Sequence, residues 1–483
     1  MKKIYSFFAV IAFFCISFVS NAQNDGVTFT LLPQMPFTNY LNPGIRMPYK
    51  GVFGVGVSNV NYSIFNSSVR YDNIYGKNAQ GDDIIDGVKL VNSLDAKDNF
   101  INGNLSLDML NVGFRVNRLF FDINWRMKVN TELRFSRDFL GFFVFGNGHY
   151  LGEDNPCNFN IGVDASVYSE IGLGVQYDVN NHLTVGVRPK LLMGVLNASI
   201  NNDNTKIYTD ADSYAISADF GLDIKAASSL AKDINRIGDL ADFITFDSIG
   251  IGDLFNFKNS CGLGVDFGAS YVFNRHFGVA AGVYDLGFIT WKNTKEKKRI
   301  SESVGISNAV FDDFEDVANM KLDYKTMLDN VIDEIWGNDS LVDGVDYKTY
   351  LKTKIMLQGY YELSPMLRLT AIGQMYYVKE QMRPALTLAY SGAFLNCLNL
   401  TLSYTASKYA GNTIGAGIGL HLGPVNLYAV TDNLMVLTKI GKPIVEMSTS
   451  YNSMNFRVGL VFTFGKYQRT DVNSVVLKDG DSD

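Results

Sequence analysis

Residues able to carry catalytic or metal chemistry are few in this sequence, and their spacing favours no reaction. The four histidines lie far apart, at positions 149, 182, 276 and 421, without a paired-histidine motif or a Gly-x-Ser-x-Gly elbow. After Cys15, the cysteines at 157, 261 and 397 match no metal-site spacing; we expect all three to stay unpaired, with a single disulfide as the alternative. We therefore expect no catalytic residue, no metal and no cofactor, and a protein that is not an enzyme. A surface hydrolase dependent on His421 is the alternative.

Two glycine clusters have the spacing of nucleotide-binding loops. They are GVFGVGV at 51–57 and CGLGVDFG at 261–268. Neither lies between a strand and a helix of a βαβ unit, so a dinucleotide site is disfavoured. Glycine on the inner face of a closed sheet instead permits curvature and close packing.

Acidic residues cluster between positions 312 and 346. Their spacing does not match a helix–loop–helix calcium site. We interpret this stretch as a solvated loop, with binding of divalent cations as the alternative.

Many of the other charged residues fall at alternating positions. Residues 118–130 read RLFFDINWRMKVN, with apolar side chains from Leu119 to Val129 at odd positions and polar ones from Asp122 to Asn130 at even positions. A strand places these two sets on opposite faces. The alternation runs for about 17 residues, roughly three times a common soluble strand. This length predicts a strand that crosses a bilayer, with lipid on one face and a polar lumen on the other.

The same alternation predicts which polar side chains face the lumen. The candidates are Asp122, Arg126, Arg134, Asp164, Glu170, Arg188, Lys190, Asp219 and His421. Opposite charges occur in similar number on the predicted inner face, which favours ion pairs that hold the wall rigid. The alternative is a basic patch that attracts an anionic head group.

Alternating segments recur between Gly51 and Gly465, joined by very short and very long connections. This pattern is typical of an all-β chain folded as a transmembrane antiparallel β-barrel, since the strands of a secreted β-sandwich are shorter. The long connections are 72–104, 136–160, 226–259 and 292–353, and the last two contain apolar residues at helical spacing. We count about 15 segments but predict about 14 strands (roughly 12–16), because bacterial barrels use an even number. Either one strand near 200–260 is miscounted, or 226–259 returns through the lumen.

The N-terminus predicts export. Two lysines precede an apolar run from Ile4 to Val19, and small residues follow at Ser20 and Ala22. Residues 1–22 are expected to be a cleaved signal peptide, with a retained anchor as the alternative. Loss of those two lysines leaves 40 basic and 49 acidic residues, a net charge of −9, which disfavours nucleic-acid partners. No later stretch offers the ~18 continuous apolar residues of a membrane-spanning helix.

The last alternating segment carries an assembly signal. In NFRVGLVFTFG, the pattern polar-x-Gly-x-x-apolar-x-aromatic matches Arg457, Gly459, Phe462 and Phe464. It resembles the closing-strand signal read by the barrel-assembly machinery of outer membranes. Residues 51–465 would form the barrel, and residues 466–483 a polar periplasmic tail.

Five stretches resemble a family of Bacteroidota outer-membrane β-barrels of unknown function. They are LNPG (41–44), LTVGVRPKLLMG (183–194), VYDLGFITW (283–291), YKTYLKTKI (347–355) and MNFRVGLVFTFG (454–465). That family is distantly similar to long-chain fatty-acid transporters, which have an N-terminal plug, and to secretion-associated barrels. The resemblance implies a hatch inside the lumen at residues 23–50. A disordered leader to the first strand is the alternative.

These features lead to one functional prediction and one alternative. The prediction is an outer-membrane barrel, surrounded by outer-membrane lipid, that binds or passes a hydrophobic or amphipathic, lipid-like small molecule. A gap in its wall would release the solute sideways into lipid, driven by apolar burial and the concentration gradient. The alternative is a non-transporting scaffold that docks surface or secreted proteins through the loops 136–160 and 292–353.

Overall fold

The computed structural model describes residues 27–32, 35–36, 39, 42–69, 75–77, 83–96, 99–202, 204–229, 260–307, 341–364, 366–378, 381–394, 397–407, 411–439 and 451–467. The strands in these ranges are β1 Tyr49–Asn66, β2 Tyr75–Lys77, β3 Asp83–Ile85, β4 Asn99–Val116, β5 Leu119–Phe135, β6 Cys157–Asn158, β7 Ile161–Asp178, β8 Leu183–Asn201, β9 Lys206–Thr209, β10 Ile216–Ser228, β11 Ser260–Val272, β12 Phe277–Trp291, β13 Thr294–Ser307, β14 Val342–Asp343, β15 Tyr347–Tyr350, β16 Thr353–Ser364, β17 Leu367–Val378, β18 Gln381–Phe394, β19 Leu398–Ser407, β20 Gly411–Leu422, β21 Val425–Thr431 and β22 Ser453–Lys466. The α-helices are α1 Val27–Thr30, α2 Gly87–Ser93 and α3 Arg137–Phe145, and 3-10 helices cover Asn147–Tyr150 and Leu434–Lys439. Within the described residues, no helix combines the length and apolar character needed to cross a membrane.

One antiparallel sheet closes on itself to form a barrel. Its last strand, β22, pairs with its first, β1, from Tyr49 opposite Lys466 to Phe65 opposite Ser453. The ring that this pairing closes has no free first or last strand, so backbone polar groups of the wall find partners on neighbouring strands. The prediction of a transmembrane antiparallel barrel with 14 strands around its wall is confirmed.

Two positions in the ring are each filled by two strands in succession. β11 pairs with residues 183–194 of β8, and β10 pairs with residues 196–201 of the same strand. β12 and β13 follow one another in the same way, β12 against β11 and β13 against β10. The surplus strand counted near 200–260 is thus explained, because β10 and β11 are two halves of one interrupted wall strand.

The loop predictions had mixed outcomes. The predicted loop 292–353 was wrong at its start, since residues 294–307 form β13. Helices α2 and α3 lie in the loops after β3 and β5, and each is capped by a side chain: Asp86 accepts from Lys89 N, and Ser136 accepts from Phe139 N. The helices expected within 226–259 and 292–353 fall outside the described residues, as does the predicted signal peptide.

The outer face of the wall is apolar. In β18 and β19, Leu386, Leu388 and Leu402 are each about half exposed, whereas the alternating residues Thr387 and Ser403 are buried. The same alternation recurs around the wall, so large apolar side chains cover it far beyond the few hundred square ångströms that a soluble monomer exposes. A lipid environment accounts for this surface.

Aromatic rings mark one end of the wall. Tyr271, Phe273 and Phe277 surround the short turn between β11 and β12, with successive ring centroids 4.8 and 5.1 Å apart. Tyr361 lies opposite Phe277 in the next strand and is also exposed. Such rings are typical of the membrane–water interface. We call this end the short-turn end and the opposite one the long-loop end.

Part of the predicted lipid face of β5 is covered. Ile123 is 47% exposed, as expected, but Met127 and Val129 are only 8% and 3% exposed. Both pack in a cluster that includes Ile224 of β10 and Leu341. Alternation identifies the face on which a residue lies, but it does not reveal whether another segment packs over that face.

We predict that Leu388→Arg destabilises the barrel in a bilayer by roughly 2–4 kcal/mol, because a guanidinium at mid-strand on the outer face must enter hydrocarbon. The control is Val345→Arg, since Val345 is exposed between two short strands and should tolerate the charge. The measurement is the free energy of unfolding in phospholipid vesicles. Equal effects of the two substitutions would contradict a lipid-facing β18.

Candidate functional site in the barrel lumen

Four basic and four acidic side chains form one network of ion pairs inside the barrel. They are Asp122, Arg126, Lys128, Glu170, Arg188, Lys190, Asp266 and Asp285. These residues come from β5, β7, β8, β11 and β12. The formal charges cancel, so the network has no net charge to attract an ion.

Glu170 joins three of the cations. Arg126 binds one of its carboxylate oxygens, and Lys128 Nζ lies 2.9 Å from the other. Lys190 Nζ lies 3.5 Å from Oε1. The Glu170 side chain has no solvent exposure. A buried carboxylate is stable only with such partners, because desolvation of an unpaired charge costs several kcal/mol.

Two aspartates extend the network across the ring. Lys190 Nζ lies 2.6 Å from an oxygen of Asp266 and 2.6 Å from an oxygen of Asp285. Asp285 also lies 3.3 Å from Lys128 Nζ, which joins β12 to β5 although these strands are not neighbours in the sheet. The pairs therefore hold distant parts of the wall at a fixed separation.

Asp285 occupies a strained position. Its φ is 52°, in the left-handed region that non-glycine residues rarely adopt. Its N–H donates to Asp266 Oδ1 at 2.8 Å, and its carbonyl accepts from Thr353 Oγ1 at 3.3 Å. The register between β11 and β12 shifts here, which is a β-bulge. The bulge changes which positions of β12 point inward. Tyr284, before the bulge, and Trp291, after it, are both buried, so the inward positions are even before the bulge and odd after it.

Five of the nine predicted lumen residues belong to this network: Asp122, Arg126, Glu170, Arg188 and Lys190. The prediction missed Lys128, Asp266 and Asp285. Lys128 and Asp266 lie on the polar faces of alternating strands, so the pattern could have found both. The bulge concealed Asp285, because it breaks the alternation from which inward positions are read.

The other four predicted residues lie elsewhere. Arg134 Nη2 lies 3.4 Å from Asp164 Oδ2 in a separate pair on the long-loop side. Asp219 lies in β10 in register with Lys206, away from the network. His421 lies at the short-turn end, where its Nδ1 hydrogen-bonds Asn426 Oδ1.

The N-terminal segment, residues 27–48, has its described residues against the inner wall. The glycine-rich face of β20 makes room for it: a Cβ at Gly415 would lie 2.4 Å from Thr28 Oγ1, and one at Gly419 would lie 2.7 Å from Met35 Cε. Across the lumen, a Cβ at Gly186 would lie 2.0 Å from the carbonyl oxygen of Pro43. These glycines permit close packing, as expected of glycine on the inner face of a closed sheet.

Polar contacts anchor the N-terminal segment at several points. Arg46 Nε donates to Asp178 Oδ1 at 2.9 Å near the short-turn end. Deeper in the lumen, Arg188 Nη1 donates to the carbonyl oxygen of Asn39 at 3.1 Å. At its other end, Thr28 Oγ1 lies 2.8 Å from Ser403 Oγ. Arg188 therefore connects the segment directly to the charge network.

Apolar contacts hold the same segment. Val27 and Leu31 pack in a cluster with Tyr284, Met356 and Ile372. A second cluster joins further apolar side chains of the segment to the wall on the other side; it includes Phe29, Leu32, Met35, Met47, Tyr428, Val430 and Val461. The segment therefore meets the inner wall through two apolar clusters beside its polar anchors.

The residues of the closing-strand signal divide between the two faces of β22. Arg457 is buried, with its guanidinium 4.2 Å from the Phe29 ring centroid. Gly459 leaves space for the Tyr428 ring, since a Cβ would lie 2.4 Å from the Tyr428 hydroxyl. Phe464 is 53% exposed on the outer face, and Phe462 lies two residues before it on the same face.

The described residues contain no group of three or more His, Cys, Asp and Glu side chains placed to hold a metal ion. Cysteines 157, 261 and 397 are unpaired. Each carboxylate of the charge network already faces a cation. The arrangement thus fixes the wall and the N-terminal segment in position.

Residues 43–432 match the model of a family of unknown function (DUF5723). The chain belongs to this family. The resemblance to a barrel family of unknown function, drawn from the sequence, is confirmed. No curated protein matches the chain.

Several solved barrels are similar to this chain. The toluene transporter TodX of P. putida is 9% identical, with a TM-score of 0.39 over 91% of this chain and 94% of that chain. A FadL homologue of Pseudomonas aeruginosa is 9% identical, with a TM-score of 0.41 over 92% and 98%. The translocator domain of the autotransporter NalP of Neisseria meningitidis is 9% identical, with a TM-score of 0.31 over 86% and 88%. Similarity at this level does not identify a solute.

Glu170→Gln is expected to lower the free energy of unfolding by about 3–5 kcal/mol, because it leaves an uncompensated positive charge in the network. Adding Lys128→Met restores the charge balance and should recover part of the loss. Asp343→Asn, in an exposed ion pair with Lys295, serves as the control and should have no measurable effect. Equal losses for the single and double variants would show that charge balance does not stabilise the lumen.

Proposed function

We propose that this barrel lies in the outer membrane and passes a hydrophobic or amphipathic small molecule, with the N-terminal segment acting as a hatch. The observation that carries the proposal is the apolar surface of the inner wall in the two clusters that this segment completes. A barrel that conducted only water and ions would have no use for such a surface.

Withdrawal of the hatch would expose this wall to the lumen. Tyr284, Met356 and Ile372 would lose their contacts with Val27 and Leu31. An apolar solute that covered them would regain the free energy of burial, at about 25 cal/mol per Å². The hatch and the solute would therefore compete for one surface, which is a simple means of gating.

The neutral charge network supports the same proposal. A pore selective for anions or cations presents an excess of one sign along its path. Here the four cations and four anions are paired at short range. An ion of either sign would gain little electrostatic energy by entering the lumen, so selection of the solute would rest on apolar contact.

The interrupted wall strand offers a sideways exit. β10 ends at Ser228 and β11 begins at Ser260, and the Trp291 ring packs beside this junction against Gly194. Trp291 is fully buried, and its Nε1 donates to Thr349 Oγ1 at 2.7 Å. Movement of the Trp291 ring would open the wall toward lipid at the junction of β10 and β11, where the wall strand is already interrupted.

The sequence signals support the proposed location. A cleaved leader at 1–22 would export the chain, and Arg457, Gly459, Phe462 and Phe464 would present β22 to the barrel-assembly machinery. The outer-face side chains would then contact outer-membrane lipid. Residues 468–483, most of the proposed periplasmic tail, lie outside the described residues.

A disulfide between Thr28→Cys and Ser403→Cys tests the hatch, because the two hydroxyl oxygens lie 2.8 Å apart. The pair is built in a chain whose cysteines 157, 261 and 397 are replaced by serine. The measurement is transfer of a fluorescent long-chain fatty acid across proteoliposomes. We expect oxidation to stop transfer and reduction to restore it.

The matched control joins Lys295→Cys to Asp343→Cys, which face each other in register on β13 and β14 without touching the hatch. Oxidation of this pair should leave transfer unchanged. Transfer that persists with the hatch locked would refute the gating proposal. Absence of transfer in every variant, including the reduced protein, would refute transport.

A non-transporting scaffold remains the second candidate. The loop 136–160 supports it, since this loop is folded around α3, where Phe139, Phe142 and Phe159 pack ring against ring. Most of the other proposed docking loop, 308–340, lies outside the described residues. Mass spectrometry of gently extracted protein separates the candidates: a co-purifying lipid-like molecule supports transport, and a stoichiometric protein partner supports the scaffold.

A further inference from the structure

A cavity of about 470 Å³ lies at the long-loop end, away from the lumen. Its walls come from α2, α3, the 3-10 helix 147–150 and the turn 154–158. The elements around it are tightly joined. Gly87 of α2 packs against Val144 of α3, and Gly141 of α3 packs against the hydroxyl of Tyr150. The volume lies within the range of small-molecule sites, and the packing provides a preformed shape.

A packed core lies beneath the walls of this cavity. Tyr150 belongs to a buried cluster with Cys157, Ile207 and Ile216. Burial raises the pKa of the Cys157 thiol, so this side chain behaves as an apolar group. The cavity walls are therefore supported from beneath.

Planar polar side chains and aromatic rings line the cavity. The carboxylates are Asp138 and Asp154, and the amides include Asn155 and Asn158. Asp138 Oδ2 is held in place by Asn158, whose backbone N and Nδ2 lie 3.2 and 2.9 Å away. Asn155 Nδ2 donates to the carbonyl oxygen of His149 at 3.0 Å, which leaves its amide oxygen free to accept.

The aromatic side of the cavity is a short row of rings. The His149 ring lies 4.9 Å from Phe145 and 5.1 Å from Tyr150, centroid to centroid. His149 itself is exposed at the mouth. A ligand that enters can therefore lie against a ring while its polar groups reach the carboxylates and amides.

We propose that this cavity binds a neutral saccharide. A sugar ring has hydroxyl groups that both donate and accept hydrogen bonds, which suits carboxylate and amide partners. It also has an apolar C–H face, which suits an aromatic ring. One arginine, Arg137, against two aspartates leaves an excess of negative charge, so phosphate, sulfate and uronate groups are disfavoured.

The site is distinct from the proposed solute path. Its polar lining does not suit the hydrophobic molecule expected in the lumen, and none of its lining residues belongs to the charge network. It lies in the loops that would face the cell exterior, where a surface glycan is accessible. The proposed saccharide site therefore does not depend on the proposal that the barrel transports a solute.

The test applies the full-length folded protein in detergent to a panel of neutral hexose, N-acetylhexosamine and uronate oligosaccharides. Neutral members should bind, and calorimetry then measures Kd for the tightest. Asp154→Ala and Asn155→Ala should each raise this Kd by about tenfold, the effect of losing one strong hydrogen bond. Asp212→Ala, in the exposed turn after β9, should leave it unchanged. Slower migration of boiled than unboiled protein on a gel verifies that each variant is folded.

Three results would overturn the proposal. The first is the absence of binding to any neutral oligosaccharide at millimolar concentration. The second is binding that Asp154→Ala and Asn155→Ala leave unaltered in folded protein. The third is a preference for uronate over neutral sugars, which would reverse the charge argument.

Discussion

The backbone hydrogen bonds between β22 and β1 are the interactions on which the rest of the molecule depends. Lipid offers no donor or acceptor, so an open edge would leave a row of N–H and C=O groups unsatisfied at several kcal/mol each. The pairing is interrupted where its register shifts between Phe53 and Asn59. There a side chain bridges the two strands: Arg457 Nε of β22 donates to Asn59 Oδ1 of β1 at 3.2 Å, and Asn59 Nδ2 donates in turn to Asp108 Oδ2 of β4 at 2.8 Å. Closure is therefore maintained from inside the barrel.

A closed wall creates a second problem, because the buried polar side chains of its inner face need hydrogen-bond or ion-pair partners. The long strands β5, β7 and β8 solve this with the charge network, whose members are mostly buried. Most inner residues of the shorter strands β16 to β21 are uncharged, such as Thr387 and Ser403, and the N-terminal segment covers part of them. Ion pairs thus fill one side of the lumen, and a piece of chain fills the other.

Alternation was a reliable guide wherever a strand was regular and uncovered. It placed the outer and inner faces of β19 and β22 correctly, and it found five members of the charge network. It failed where geometry departs from period two: at the bulge that turns Asp285 inward, and at the interruption between β10 and β11. It also could not foresee that Met127 and Val129 are covered, because the covering residue Leu341 is more than 200 positions away. The local alternation of apolar and polar residues determines on which face of a strand a side chain lies, whereas packing between distant segments determines what contacts that face.

The anchors of the N-terminal segment explain how a hatch could leave a barrel that is full of charge. Removing one member of a buried ion pair ordinarily costs about 3–5 kcal/mol. Here the wall residues keep partners of their own: Asp178 also pairs with Arg115 Nη1 at 3.0 Å, and Arg188 also pairs with Asp122 at 3.1 Å. Arg46, the charge that departs, is already partly exposed near the short-turn end. Withdrawal therefore leaves no unpaired charge at these two anchors. It also exposes the apolar surface of the two clusters, and an apolar solute can offset that cost.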